Sequence, residues 1–276
     1  MKHKFIYLKN VHPTEKRHIF QLFENLYHYR FVIQNFVSRD LKERYKSTMG
    51  GFLWTLFHPL VLMIMYALIF RYVLRIQIEN YSLYLLSGLI PWIFFSNGLN
   101  SSSICVVQNF NLINKVYFPR ELLPIVAMIS HAVHFLLSLV ILIFFLIYFN
   151  IPFHVEIFWL PVVVGAQLIL TTACALIISA LAVFLKDLRI LLELGLQVLF
   201  FACPITYEVA HVPASYSFWY KLNPLLSIFE GYKAVLLYGK NPITVDFLYT
   251  LMVSLILLCG AYALFKHIDY LFAEKC

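Results

Sequence analysis

The stretch LLPIVAMISHAVHFLLSLVILIFFLIYF, residues 122–149, contains no Asp, Glu, Lys or Arg. A helix needs roughly 20 apolar residues to cross the hydrocarbon core of a bilayer, and this stretch exceeds that length. The whole 276-residue chain has a similar character, because 62% of its residues are hydrophobic and only 13% are charged. Soluble domains carry about 25% charged residues. The composition therefore predicts an all-α integral membrane protein with little chain left for a soluble catalytic domain.

Five other apolar segments accompany this one, and together they predict six transmembrane helices. The fifth is short and ends before Pro204, which is typical of a re-entrant segment or of a helix beside a cavity. Residues 1–50 are predicted to be a cytoplasmic N-terminal segment that contains an amphipathic interface helix. Residues 51–276 are predicted to be a transmembrane domain whose outer segment, residues 204–242, is either a loop or re-entrant. The predicted spans are residues 52–74, 83–106, 122–149, 156–185, 190–201 and 243–265.

The distribution of Lys and Arg predicts the orientation of the chain. Residues 1–50 contain ten of its 21 Lys and Arg residues. The loops after the second and fourth spans are also basic, whereas the loops after the first and third contain only Arg75 as a cation. Cations concentrate on the cytoplasmic side, so both termini are predicted to be cytoplasmic. The outer loop is an exception that long loops permit, because it holds Lys221, Lys233 and Lys240.

Ahead of the first span, residues 24–46 place apolar side chains three to four positions apart. This spacing predicts an amphipathic helix in the membrane interface, although a soluble helix packed on a partner would show the same pattern. Residues 225–237 predict a second, short amphipathic helix in the outer loop. A basic arm can also bind nucleic acid, but ahead of an apolar span it more often marks the cytoplasmic surface, so no nucleic-acid partner is expected.

Several motifs of catalysis and cofactor binding are absent from the sequence. It has no G-x-x-x-x-G-K-[ST] phosphate loop, so any ATPase that drives it must be another polypeptide. Its five cysteines lack metal-ligand spacing. His131 and His134 lie one helical turn apart, a spacing that suits a metal or a proton relay, but without a nearby carboxylate a core or pore-facing position is favoured. No cofactor or metal is expected on this chain.

Aromatic residues are dense in the first two predicted spans. Most such residues face lipid or form interfacial belts, but aromatic rings can also stack on sugars. The second span contains the polar run SNGLNSSS, residues 96–103. Polar side chains at this depth either pack against other helices or line a wet path, and the sequence does not separate these two possibilities.

Five motifs carry a resemblance that covers nearly the whole chain beyond about residue 25. They are RDLKERYKSTMGGFLWTLFHPL (39–60), YLLSGLIPWIFF (84–95), NLINKVYFPRELLP (111–124), PITY (204–207) and LNPLLSIFEGYKAVLL (222–237). In order and spacing they resemble the membrane subunits of type-2 ABC exporters. The branch they resemble most is the permeases that move lipid-linked polysaccharide, O-antigen, capsule or teichoic acid.

The resemblance implies a homodimer of six-span subunits that binds two copies of a separate ATPase, on which ATP and Mg²⁺ bind. It implies export of a polymer linked to undecaprenyl pyrophosphate across the bacterial plasma membrane, with wall teichoic acid favoured over O-antigen or capsule. Residues 108–121 would form a coupling helix that docks on the ATPase. The coupling residues expected from the family are Asn111, Asn114, Lys115, Tyr117, Phe118, Pro119, Arg120, Glu121 and Asp187.

The resemblance also implies an entrance and a path for the substrate. Cations of the interface helix would attract a lipid pyrophosphate, although the same cations could simply bind anionic lipid headgroups. The expected entrance residues are Arg39, Asp40, Lys42, Arg44, Tyr45 and Lys46. The expected path residues are Trp54, Phe57, Tyr66, Tyr84, Trp92, Phe94, Phe95 and Tyr207.

Two alternatives to polymer export stay open at the level of sequence. One is an ABC permease of the same fold for drugs or small lipids. The other, less favoured, is a membrane-embedded transferase that modifies glycans, which would need an acid, base or metal constellation at the membrane face. No such constellation can be assembled from the sequence.

Overall fold

The computed structural model describes residues 19–45, 53–73, 75, 78–110, 118–185 and 187–269. Within these ranges the chain is almost entirely helical and contains no β-strand. The helices are α1 (Ile19–His28), α2 (Arg30–Tyr45), α3 (Leu53–Ala67), α4 (Tyr81–Gln108), α5 (Leu122–Tyr148), α6 (Leu160–Ala182), α7 (Leu188–Ala202), α8 (Ser217–Lys221), α9 (Pro224–Lys233) and α10 (Val245–Ile268). The π-helical turns Leu68–Val73 and Ala234–Tyr238 extend α3 and α9, and a 3₁₀ turn, Val155–Trp159, precedes α6.

Four helical segments in the described ranges are long and apolar enough to cross a membrane. They are α4, α5, α10 and the segment Val155–Ala182 that contains α6. The other two predicted spans correspond to shorter helices, since α3 has 15 residues before its π-helical turn and α7 has 15 residues in all. The all-helical membrane fold is thus confirmed, and the count of six crossings stays a prediction.

The predicted single helix over residues 24–46 was wrong in one respect, because the chain forms two helices that meet at Tyr29. Backbone hydrogen bonds continue through this residue, from Tyr29 N to Asn25 O and from Ile33 N to Tyr29 O, so the break is a local turn. Leu22 of α1 and Ile33 of α2 are buried against the helical core. The side chains of α1 therefore divide into a packed face and an exposed face, as an interface helix requires.

Helix α4 lies at the centre of the fold and packs against α3, α5, α6, α7 and α9. Small residues along α4 permit this, because they let neighbouring backbones approach closely. A Cβ atom on Gly88 would lie 3.3 Å from the Cα of Ile205, and Gly98 is covered by Met128 of α5. Helix α4 thus connects the outer loop to the rest of the bundle.

Helix α9 confirms a short helix in the predicted outer loop, but not its predicted amphipathic character, because none of its residues is exposed. Pro224 occupies its first turn, and the Asn223 side chain accepts a hydrogen bond from Leu225 N at 3.1 Å. Pro at this position is favoured because its missing N–H would have no helical partner, and Asn is a favoured N-cap. Most of α9 is buried against α4, α6 and α10.

Candidate translocation site

A groove of about 520 Å³ lies between α3, α4 and α7, and we call it the aromatic groove. Three helices that are separate in sequence supply its walls, so it exists only in the folded chain. It is lined by His58, Leu62, Tyr66, Leu89, Trp92, Ile93, Ser96, Asn97, Asn100, Glu193, Leu196, Gln197, Phe200 and Phe201. The predicted path residues Tyr66 and Trp92 are both among them.

Phe200 of α7 joins the three helices at the aromatic groove. Its ring stacks on Tyr66 of α3 with centroids 5.4 Å apart and meets Trp92 of α4 edge to face at 5.5 Å. Such aromatic pairs contribute about 1 kcal/mol each beyond the area they bury. An aromatic ring also presents a flat apolar face of the kind that packs on a sugar ring.

Polar side chains line the rest of the aromatic groove. Ser96, Asn97 and Asn100 project from the polar run of α4, and Gln197 projects from α7. The Oδ1 atom of Asn100 is buried and has no hydrogen-bond partner within the described parts of the chain. A buried acceptor of this kind is costly unless a ligand or water satisfies it. Asn97 is exposed, and Ser96 and Asn100 are half-buried, so this part of the polar run is not fully packed against other helices.

The structure does not bring all predicted path residues into the aromatic groove. Phe94 stacks on Phe135 of α5 at 4.9 Å in the core, and Phe95 is buried beside Trp92. Trp54 and Phe57 are exposed on α3 and contact each other at 5.8 Å. Tyr84 and Tyr207 take part in a different cluster. Their roles in the path stay predictions, and only Tyr66 and Trp92 lie in the groove.

Tyr84 and Tyr207 belong to what we call the outer junction, formed by residues 203–208, Tyr81, Tyr84 and Lys233. Residues 203–208 have no regular secondary structure, and Cys203, Ile205 and Thr206 are buried. Side chains satisfy three of their carbonyl groups. Tyr81 donates to Thr206 O at 2.8 Å, and Tyr84 donates to Tyr207 O at 2.6 Å. Lys233 donates to Pro204 O.

Lys233 is the most unusual member of the outer junction because it is 0% exposed. Its Nζ also donates to the Tyr84 hydroxyl at 2.6 Å and forms an ion pair with Glu230 at 3.2 Å. Burial lowers the pKa of Lys233 to about 8, and the nearby Glu230 carboxylate opposes this shift. The ammonium is therefore still the major form at neutral pH, and its hydrogen bonds are charge-assisted.

On the opposite side of the fold, a second cluster joins α1, the start of α5 and the end of α10. We call it the cytoplasmic junction, after the side of the membrane on which the sequence predicts it. Glu121 is 0% exposed, forms an ion pair with Lys266 Nζ at 2.7 Å and accepts a hydrogen bond from Asn25 Nδ2 at 3.0 Å. Arg120 forms an ion pair with Asp269 at 3.4 Å. Burial raises the pKa of Asp269, and the positive charge of Arg120 counteracts this.

The expected coupling residues divide between described and undescribed parts of the chain. Asn111, Asn114, Lys115 and Tyr117 lie outside the described residues. Phe118 is buried against Phe36 of α2, with centroids 6.1 Å apart, and Pro119 is half-buried. Asp187 is exposed directly ahead of α7. Phe118, Arg120 and Glu121 therefore attach this segment to other helices of the same chain.

Of the expected entrance residues, Arg39, Asp40 and Arg44 of α2 line a second cavity, of about 580 Å³, between α2, α4 and α5. Arg39 is neutralised by Asp40 at 3.2 Å and Glu43 at 3.8 Å. Arg44 points inward and donates to His131 Nε2 at 2.9 Å. Lys42 is exposed, the side chain of Tyr45 is not described, and Lys46 lies outside the described residues.

Sequence reasoning missed the two junctions. Lys233 was predicted as an outer-loop cation, and its only distinguishing signal was its position within the apolar run GYKAVLL, residues 231–237. No local pattern indicated that Glu121 would meet Lys266. His131 and His134 are buried in α5, and no group of three potential metal ligands occurs among the described residues.

Comparison of the sequence with known proteins identifies the family of this chain. The family described as ABC-2 type transporter matches residues 32–237. The chain belongs to the ABC-2 type transporter family. The matched region of this ABC-2 permease begins in α2 and ends within the turn after α9, so it includes the aromatic groove and the outer junction. The resemblance noted in the sequence is confirmed.

Proteins similar to this ABC-2 permease are named as polysaccharide export or transport proteins. The O-antigen export system permease protein RfbA of Klebsiella pneumoniae is 32% identical over 239 residues, which cover 86% of this chain and 92% of that protein. RfbA of Myxococcus xanthus is 33% identical over 92% of this chain and 99% of its own length. The polysialic acid transport protein KpsM of Escherichia coli is 23% identical over 86% and 93%. The ABC-2 permease is a multi-pass protein of the bacterial inner membrane.

Proposed function

We propose that this ABC-2 permease is the membrane subunit of an ATP-driven exporter that moves a lipid-linked polysaccharide from the cytoplasmic to the outer face of the inner membrane. The observation that carries the proposal is the aromatic groove. It combines stacked rings with a buried amide oxygen of Asn100 that has no hydrogen-bond partner among the described residues, and this mixture suits a ligand with both C–H faces and hydroxyl groups.

The aromatic groove is partly open to its surroundings, which favours a path over a closed binding pocket. One chain supplies only the walls from α3, α4 and α7. A second copy of the chain would provide the facing walls, so the proposed transporter has two permease copies with six spans each. Two ATPase chains would bind ATP and Mg²⁺, because this sequence lacks a phosphate loop.

Coupling to the ATPase is proposed for residues 111–117 and for Asp187. Asp187 is exposed, whereas Phe118 and Glu121 are buried within the permease. In this arrangement the buried residues anchor the coupling segment, and the segment before them makes the contact. A force on that segment would then be transmitted to α5, which begins at Leu122.

The substrate entrance is proposed at α2. Among its cations, Arg39 is compensated by two carboxylates, so Arg44 and Lys42 are the better candidates for attracting a lipid pyrophosphate. The resemblance noted in the sequence led us to expect wall teichoic acid as the polymer, but the relatives named above are O-antigen and polysialic acid proteins. We therefore propose a polysaccharide linked to undecaprenyl pyrophosphate, with teichoic acid as the competing polymer.

Deleting the gene in its source bacterium tests the proposal directly. Lipid-linked polymer should accumulate on the cytoplasmic side and disappear from the cell surface. Chemical analysis of the accumulated polymer distinguishes sugar repeats from the polyol phosphate repeats of teichoic acid. A strain that accumulates no lipid-linked polymer would refute the proposal and favour a permease for drugs or small lipids.

Variants of the aromatic groove test the path. Tyr66→Leu should lower export about fivefold, because a lost ring contact is worth about 1 kcal/mol, and Gln197→Leu should lower it similarly. Phe144→Leu is the matched control, since Phe144 is exposed on α5 away from the groove. Equal export in all three variants would place the polymer path elsewhere.

A further inference from the structure

Helix α7 is weakly attached to the rest of the described chain. Only Leu196 and Phe200 of its 15 residues are buried. Exposed residues such as Leu191 and Val198 make up most of its surface. The position of α7, and therefore of Phe200 in the aromatic groove, depends strongly on how its ends are held.

The outer end of α7 continues directly into the outer junction. The helix ends at Ala202, and Cys203 is already fully buried. Irregular backbone buried at this depth needs partners for its carbonyl groups. Lys233 supplies the donor for Pro204 O, the second residue after the helix end.

Lys233 also connects this carbonyl to α4. Its ammonium donates to the Tyr84 hydroxyl, which in turn donates to Tyr207 O, so one charge polarises a continuous chain of hydrogen bonds. The close approach of Gly88 to Ile205 positions the same segment against α4. Helices α4, α7 and α9 thus meet at a single buried ammonium group.

We infer that Lys233 is a positioning residue for transport, which holds residues 203–208 on α4 and thereby keeps Phe200 of α7 in the aromatic groove. The inference rests on the proposed function of that groove. Lys233 itself is buried and is not among the residues that line the groove, so it acts through the segment that follows α7.

The native thiol of Cys203 reports on the outer junction, and the thiol of Cys105 provides an internal control. Both are buried, but Cys105 lies near the other end of α4. The permeant reagent N-ethylmaleimide is applied to the permease in complex with its ATPase, and peptide mass spectrometry follows each cysteine separately. In Lys233→Met, which keeps the chain length of the side chain, Cys203 should be alkylated about tenfold faster, while the rate at Cys105 stays within about twofold of wild type.

Two further variants complete the design. Lys240→Met is the matched control, because Lys240 is an exposed lysine of the same loop, and it should leave both rates unchanged. Tyr84→Phe removes only the hydroxyl that connects Lys233 to Tyr207, so it should increase Cys203 labelling even if Lys233→Met assembles poorly. The double variant should label no faster than Lys233→Met alone, because both changes open the same junction.

Transport provides the second readout. Lys233→Met should export about fivefold less polymer per ATP hydrolysed, because Phe200 loses its fixed position. An unchanged Cys203 rate, an equal increase at Cys105, or unchanged export per ATP would each overturn the inference. If the wild-type complex exports no polymer, the proposed function fails, and the Cys203 rates alone then decide whether Lys233 holds the segment.

Discussion

Replacing Lys266 by Met removes its ion pair with Glu121 from the cytoplasmic junction. Lys266 Nζ lies 2.7 Å from the carboxylate of Glu121, whose residue is 0% exposed. After the substitution, Asn25 would be the remaining partner described for that carboxylate, at 3.0 Å. The change therefore leaves a buried negative charge without its cation.

The structure sets the expected size of this effect. Removing one partner of a fully buried ion pair costs about 3–5 kcal/mol. The side chain of Lys266 is 23% exposed, so water can reach part of the site. We expect Lys266→Met to lower the free energy of unfolding by about 2–3 kcal/mol. In Glu121→Gln/Lys266→Met no charge is left buried, so at least part of this loss should be recovered.

Chemical unfolding of the purified chain in mixed micelles, followed by tryptophan fluorescence, measures these differences. Arg189→Met is the control, because it breaks an exposed ion pair with Glu193 at 3.2 Å. Exposed pairs contribute about 0.5 kcal/mol or less. If Lys266→Met and Arg189→Met cost the same, or if the double variant is no more stable than Lys266→Met, the junction does not depend on a buried ion pair.

Two further predictions concern the packing around α4, and the same unfolding measurement checks them. Gly88→Ala should destabilise the chain by about 1–3 kcal/mol, because its new methyl group would meet the backbone of Ile205 at 3.3 Å. The control Gly165→Ala should be neutral or stabilising, because no described atom lies within 4 Å of its added Cβ. Equal changes in the free energy of unfolding for the two variants would contradict the close packing at Gly88. Tyr232→Phe should cost about 1–3 kcal/mol, because its hydroxyl donates to Gln167 Oε1 at 2.6 Å in the core, whereas Tyr238→Phe, at a more exposed phenol, should have a smaller effect.

The apolar segments show how far sequence predicts this fold. The predicted spans 83–106 and 122–149 agree with α4 and α5 to within about two residues at each end. The agreement has a physical reason, since a lipid-exposed segment can satisfy its backbone only as a helix or in a closed barrel. The prediction over residues 24–46 was less accurate, because spacing of apolar residues does not report a local turn such as the one at Tyr29.

The direction in which each side chain points within the bundle was much harder to predict than the ends of the helices. Trp92 and Phe94 are two residues apart on α4, yet Trp92 contacts Phe200 at the aromatic groove and Phe94 stacks on Phe135 in the core. Lipid chains are as apolar as a protein core, so hydrophobic periodicity does not separate the faces of a membrane helix. The aromatic groove is formed by the packing of α3, α4 and α7, so it could be identified only from the tertiary structure.

Composition and the length of apolar runs were enough to determine that the chain is a helical membrane protein, and five motifs were enough to indicate its family. Only the tertiary structure placed Lys233 in a buried junction and brought Lys266 to Glu121. A buried charge is tolerated only beside partners that compensate it. Here those partners come from elements far apart in the chain, and no local pattern of residues specifies which distant side chains will be in contact.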